Sequence, residues 1–180
     1  SKSLLVRMIP KDRKPLIDAK KDLPSGPIVS LAEGKTSQNR TFQDLLKNKT
    51  DELNFLTLVN SELYRIALDG NKSLFKSSDL FVGQSFSPDG NFILISTIST
   101  PVSYIVPWSR FPMKTVVYNL DGKEVKVVNE VPLTEVMPKG FAAVRTGKRN
   151  MGWRADKPAT LFYIVALDNG DPSKSVDYRD

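Results

Sequence analysis

Apolar and polar positions along this chain follow two rhythms, and the β rhythm dominates. Residues 3–9, Ser3-Leu-Leu-Val-Arg-Met-Ile9, read as a strand. From Pro10 to about Gln38 the chain is rich in Lys, Pro, Gly and Ser without a sustained period, which predicts an extended connection. Phe42, Leu45, Leu46, Leu53, Leu56 and Val59 then recur at near-helical spacing. They predict a helical insertion over about residues 41–59, as one broken helix or two short ones. Thr41-Phe-Gln-Asp44 would open it, because a hydroxyl and an acid three residues on can satisfy orphan amides. From residue 62 the pattern is strand-like almost throughout.

Tight turns punctuate those strands. Glu62–Gly70 and Lys114–Gly122 both end in Leu-Asp-Gly, and Lys123–Val128 follows the second as a hairpin partner. Phe86-Ser-Pro-Asp-Gly90 delivers straight into Phe92-Ile-Leu-Ile-Ser-Thr-Ile98. Pro88 presets φ, Asp89 can bond the backbone just ahead, and Gly90 accepts positive φ. Trp153-Arg-Ala-Asp-Lys-Pro158 delivers in the same way into Leu161-Phe-Tyr-Ile-Val-Ala-Leu167. Leu-Asp endings start at Leu68, Leu120 and Leu167, a period of about 50 residues, as a blade-by-blade architecture gives.

The faces of the strands narrow the architecture further. In a two-sheet sandwich each sheet has one wet face, so its strands alternate. Phe92–Ile95, Leu161–Leu167 and Leu4–Ile9 are apolar on both faces or nearly so. Antiparallel strands dry on both sides require sheets stacked on either flank, which the small four-stranded blades of a β-propeller supply. Lys123–Val128 alternates, as an exposed blade edge should. The expected fold class is therefore all-β, a partial β-propeller with the helical insertion, and an ordinary sandwich is the alternative. The expected division is a partial blade over 1–80 carrying the insertion at 10–60, a blade at about 81–130, and the start of another at about 148–180. Propellers run to about four to eight blades, so this chain reads as a fragment, and its open blade faces would self-associate or meet further chain.

Composition closes off much chemistry. The 180 residues contain no histidine and no cysteine, so neither a Ser-His-Asp nor a Cys-His arrangement can be completed within them. Disulfides and cysteine-ligated metals go with them, and no cofactor or metal is expected. No apolar run approaches the roughly 20 residues of a membrane span. The net charge of +6 is concentrated in Lys11-Asp-Arg-Lys14, Lys20-Lys21 and Arg145-Thr-Gly-Lys-Arg149. These runs are broken by acids, glycine and proline, and read as solvated loops before they read as a phosphate-binding surface. No aromatic–basic interleaving of a nucleic-acid-binding sheet is present.

Single motifs add little. Glu33-Gly-Lys-Thr36 ends like a phosphate-binding loop, but that motif needs a glycine at position 29, where Val29 stands. Asp44, Asp51 and Glu52 fit helix capping better than a carboxylate cluster, and Asp89 and Asp156 fit turns. The least explained stretch is Val102–Met113, where Trp108, Arg110 and Phe111 lie between two prolines. Trp108 and Phe111 can plug an interface between blades, and Arg110 can either cap carbonyls or clamp a carboxylate.

Arg40-Thr-Phe-Gln-Asp-Leu-Leu46, Tyr104-Ile-Val-Pro107 with Arg110-Phe-Pro112, and Trp153–Pro158 together resemble the β-propeller of prolyl-oligopeptidase-type serine peptidases. The glutamyl-endopeptidase-like branch is nearest, and the likeness runs from Leu4 to Asp180. The resemblance implies a parent with an N-terminal propeller over a C-terminal α/β-hydrolase domain that holds the catalytic groups. Only propeller sequence is matched here: there is no Gly-x-Ser-x-Gly elbow and no catalytic residue to carry over. The implied role is non-catalytic, screening access and helping bind peptide, with the hydrolase domain of the same polypeptide and the peptide as partners and with no nucleic acid or membrane. Arg110 and Arg40 are the candidates for meeting an acidic substrate. A self-standing interaction or ligand-binding propeller is the competing function.

Overall fold

The computed structural model describes residues 3–18 and 42–180, and every structural statement below concerns those residues. Nine strands and one α-helix follow one another as β1 (Ser3–Met8), α1 (Lys49–Val59), β2 (Ser61–Ala67), β3 (Lys72–Asp79), β4 (Phe81–Phe86), β5 (Phe92–Ile98), β6 (Met113–Asn119), β7 (Glu124–Val131), β8 (Arg149–Trp153) and β9 (Leu161–Ile164). A 3-10 turn covers Trp108–Arg110. The strands form three antiparallel sheets in simple meanders, ordered β1-β2-β3, β4-β5-β6-β7 and β8-β9. The chain is mostly β, with antiparallel sheets of two to four strands.

Hairpins form where the turn chemistry asks for them. Ser87 and Phe92 exchange backbone and hydroxyl bonds across the Ser-Pro-Asp-Gly turn, and Gly90 sits at φ 76° with its amide on the Ser87 carbonyl. Gly70 and Gly122, at φ 88° and 79°, close the two Leu-Asp-Gly turns.

The middle sheet carries the core and has cover on both sides. On one face Ile93 and Ile95 of β5 join Phe81 and, from the first sheet, Leu63 in a buried cluster, with Leu5, Phe75 and Tyr118 packed against it. Arg7 Nη1 crosses to the Phe81 carbonyl at 2.7 Å, and Lys76 Nζ stands 4.1 Å from the Tyr118 ring. On the opposite face Leu94 pairs with Val117, and both are buried. Phe92 and Val117 there share a cavity of about 310 Å³ with Trp153 and Leu161 of the third sheet. Trp153 Nε1 donates to the Ser85 carbonyl at 3.4 Å, and the Asp89 amide donates to the Pro158 carbonyl at 3.0 Å. The two turns singled out by their sequence thus meet each other. A second core cluster of Ile98, Val106 and Phe111 lies at the end of the sheet, under α1.

Several expectations are corrected. The helix occupies only Lys49–Val59 of the predicted 41–59. Its start is fixed by Asn48, whose side chain accepts from the Asp51 amide at 2.8 Å, while Asp51 Oδ2 accepts from the Lys47 amide at 2.9 Å. Asp44, expected in the capping arrangement, is at φ 57° in a bend, and Thr41 lies outside the described residues. Two strands expected to be dry on both faces are not. Leu4 and Ile9 are exposed, and β9 ends at Ile164 with Phe162, Tyr163 and Leu167 exposed. Both belong to sheets with one uncovered face, and a two-stranded sheet has too little neighbouring surface to bury both flanks. Leu167-Asp-Asn-Gly170 closes no hairpin; it forms a corner at a buried aspartate. A closed ring is not formed by these three sheets.

Candidate functional site

The ends of the sheets are unequal. At one end the strands are joined by short turns, at 68–71, 87–91, 120–123 and 154–160. The other end carries the long connections 9–60, 99–112 and 132–148, together with the chain after β9. Long connections set on rigid strands are where binding groups concentrate. Arg110 and the run Arg145–Arg149 both lie at this end.

The 99–112 connection is tied down at several points. Phe111 is 2% exposed and meets the Phe55 ring of α1 edge-on, centroids 5.7 Å apart at 89°. Its amide bonds the Trp108 carbonyl at 3.0 Å, and the Arg110 carbonyl accepts from the Thr134 amide at 3.0 Å. Ser103 donates to Glu135 at 2.7 Å, and Tyr104 donates to Glu52 of α1. Hydrogen bonds from Lys49 and then Tyr104 hold the Glu52 carboxyl below the usual carboxylate range, and the same bond raises Tyr104. Phe111 is the plug its sequence context suggested. Trp108 is not, being 53% exposed.

Trp108 instead forms one wall of a groove of about 450 Å³, with Phe55 and Leu58 of α1, Met8, Val82 and Ile98. Arg110 is half-buried, its guanidinium 4.8 Å from the Phe42 ring. That stacking places the cation beside the groove wall without using its N–H groups as caps for nearby carbonyls. Arg40 lies outside the described residues, as do the Glu33–Thr36 motif and Lys20-Lys21.

A second feature of this end was hidden in the sequence. Asp168 is 2% exposed, and its carboxylate accepts from Arg179 Nε at 2.6 Å and from the Gly170 amide at 2.7 Å. Arg179 also donates to the Ala142 carbonyl, so the chain after β9 is stapled to the 132–148 connection. Eleven residues separate the partners, outside any helical or hairpin spacing, so no local pattern could have paired them. The turn aspartates behave as expected. Asp89 is lowered by the Ser87 hydroxyl, and Asp156 by a two-pronged bond from Arg154. Among the described residues no group of three acids could hold a metal ion, and no helix is long and apolar enough to cross a membrane.

The architecture is thus a stack of small antiparallel sheets with its elaborate loops at one end. Two curated proteins match nearly all of it. The chain is 37% identical over 179 residues to the probable chloroplastic glutamyl endopeptidase of Oryza sativa subsp. japonica, covering 99% of this chain and 19% of that protein. It is 39% identical over 184 residues to the protein of the same name from Arabidopsis thaliana, covering 99% of this chain and 18% of that one. The chain therefore spans about a fifth of the length of these peptidase-named relatives. No family model and no solved structure matches it.

Proposed function

We propose that these residues are a non-catalytic β-propeller segment of a prolyl-oligopeptidase-type serine peptidase, screening peptide access to a separate α/β-hydrolase domain and helping to hold the peptide. The observation that carries this reading is the middle sheet, a four-stranded meander over 81–131 buried between two other sheets. Such a stack is what successive blades produce. On this reading the three sheets are one whole blade flanked by parts of two others. The similarity to one-fifth of each of two peptidase-named relatives supports a part-protein role, and the missing histidine supports a non-catalytic one. The exposed Leu4 and Leu74 of the first sheet's outer face would meet a further blade.

The end with long connections would face the hydrolase domain, with Arg110 and Arg40 as basic groups toward an acidic peptide. The test uses the full-length protein with matched Glu- and Gln-containing peptides. Cleavage after Glu is expected, with a loss in kcat/KM for Arg110→Ala that is larger on the Glu peptide. Equal losses on both peptides would remove Arg110 from carboxylate recognition. Absence of any peptide hydrolysis would remove the peptidase reading.

A further inference from the structure

The run Arg145–Arg149 is explained neither by the sheets nor by the role just proposed. Gly147, at φ 80°, turns it, and Arg149 opens β8 opposite Ile164. The Arg149 side chain is only 15% exposed. Its Nη2 donates to the Asp180 carboxylate, while its Nε is buried with no hydrogen-bond partner. Nε and Nη2 together form the side-on edge of a guanidinium, whose two parallel N–H groups match the two oxygens of one carboxylate. Arg154 shows the complete pairing in the same molecule, with Nε and Nη2 reaching Oδ1 and Oδ2 of Asp156 at 3.0 and 2.6 Å. Arg149 uses half of that edge. A buried donor left without an acceptor costs on the order of 1–3 kcal/mol, and more when charged. Asp180 is thus an incomplete partner, and at 51% exposure its side chain can leave. Arg145 adds a second cation. Burial lowers its pKa first and the charge of Arg149 second, as happens when two guanidinium groups share too little negative charge.

We propose that Arg149, supported by Arg145, is a carboxylate site that takes the acidic side chain of a peptide, with Asp180 as its internal and replaceable occupant. The one group already held on the edge is a carboxylate, which favours that chemistry over phosphate. The incoming carboxylate would fill both Nε and Nη2, and Asp180 would move into solvent. No bond is made or broken in the process, so the site is measured by binding alone. Its failure is therefore distinguishable from failure of the peptidase reading.

The experiment is calorimetric titration of the full-length protein with a blocked peptide, acetyl-Ala-Glu-Ala-amide, its Gln counterpart, acetate and inorganic phosphate. Asp180→Asn should tighten binding of the Glu peptide about tenfold, the size of a removed competing charge–charge bond. Arg149→Lys keeps the charge but has no fork, and in the Asp180→Asn background it should cancel that gain. Arg145→Gln should weaken the Glu peptide and leave the Gln peptide unchanged. Four results would each overturn the site: equal binding of the Glu and Gln peptides, undiminished binding by Arg149→Lys, and acetate or phosphate binding as tightly as the Glu peptide. The Asp180→Asn arm holds even if Arg149→Lys unfolds the loop, because its side chain is half exposed.

Discussion

Truncating Ile93 and Leu94 in turn tests whether the middle sheet is dry on both flanks. The two residues are neighbours on β5 and point to opposite faces. Ile93 is 0% exposed, in the cluster with Leu63, Phe81 and Ile95. Leu94 is 7% exposed, beside Val117 on the face toward Trp153 and Leu161. Ile→Ala and Leu→Ala at buried sites each cost about 2–5 kcal/mol, from lost transfer free energy plus the cavity left behind. Both Ile93→Ala and Leu94→Ala should fall in that range. Leu4→Ala, at 60% exposure on the first sheet, is the control and should stay within about 0.5 kcal/mol. Native-state hydrogen exchange of the β5 amides in the full-length protein reads the effect locally. A loss of 2 kcal/mol speeds exchange about 30-fold where opening limits it. A large effect for Ile93→Ala with a Leu94→Ala effect no greater than the control would refute the two-sided burial and favour a sandwich with one wet face.

Other predictions follow from single contacts. Gly170 and Gly147 share nearly the same φ, 79° and 80°, but a Cβ at Gly170 would lie 2.0 Å from the Val144 carbonyl oxygen and one at Gly147 would meet open space. Gly147→Ala should cost about 1–2 kcal/mol from left-handed backbone alone, and Gly170→Ala clearly more; equal melting temperatures would contradict the close approach. Arg179→Met strands the buried Asp168 carboxylate and should cost about 3–5 kcal/mol, much of it recovered by adding Asp168→Asn. Failure of the second substitution to restore the thermal midpoint would mean that packing, not charge, is what Arg179 supplies. Glu52 has a lowered folded pKa, so its contribution is complete above its unfolded value near 4.5 and fades as pH falls through the lowered one. Tyr104 aromatic NMR signals should shift over that acid range and lose the dependence in Glu52→Gln; the same titration in both proteins would dismiss the contact.

The hairpins were legible because their chemistry is local. Ser-Pro-Asp-Gly and Leu-Asp-Gly each contain the donor, acceptor and positive-φ residue that the turn uses. The two-sided burial of β5 was also readable, since Phe92–Ile95 has no polar position to offer water. The same reasoning failed for Leu4–Ile9 and Leu161–Leu167, because burial depends on what stands beside a strand and the outer sheets here have one bare face. The helix start was misplaced because Thr41 and Asn48 both satisfy a capping pattern. Only tertiary contact, the Phe55 ring on Phe111, favours the later start. Arg110 was legible as an unusual residue, but its stacking on Phe42 was not, and the Asp168–Arg179 staple had no sequence signal at all.

The most direct measurement of the central claim is an experimental structure of the full-length protein. The account predicts that the sheet of residues 81–131 stands as one complete blade of a ring, with further blades on the outer faces of the first and third sheets and a hydrolase domain against the end that carries Trp108 and Arg149. Two large sheets packed as a sandwich, each with a solvated outer face, would contradict it.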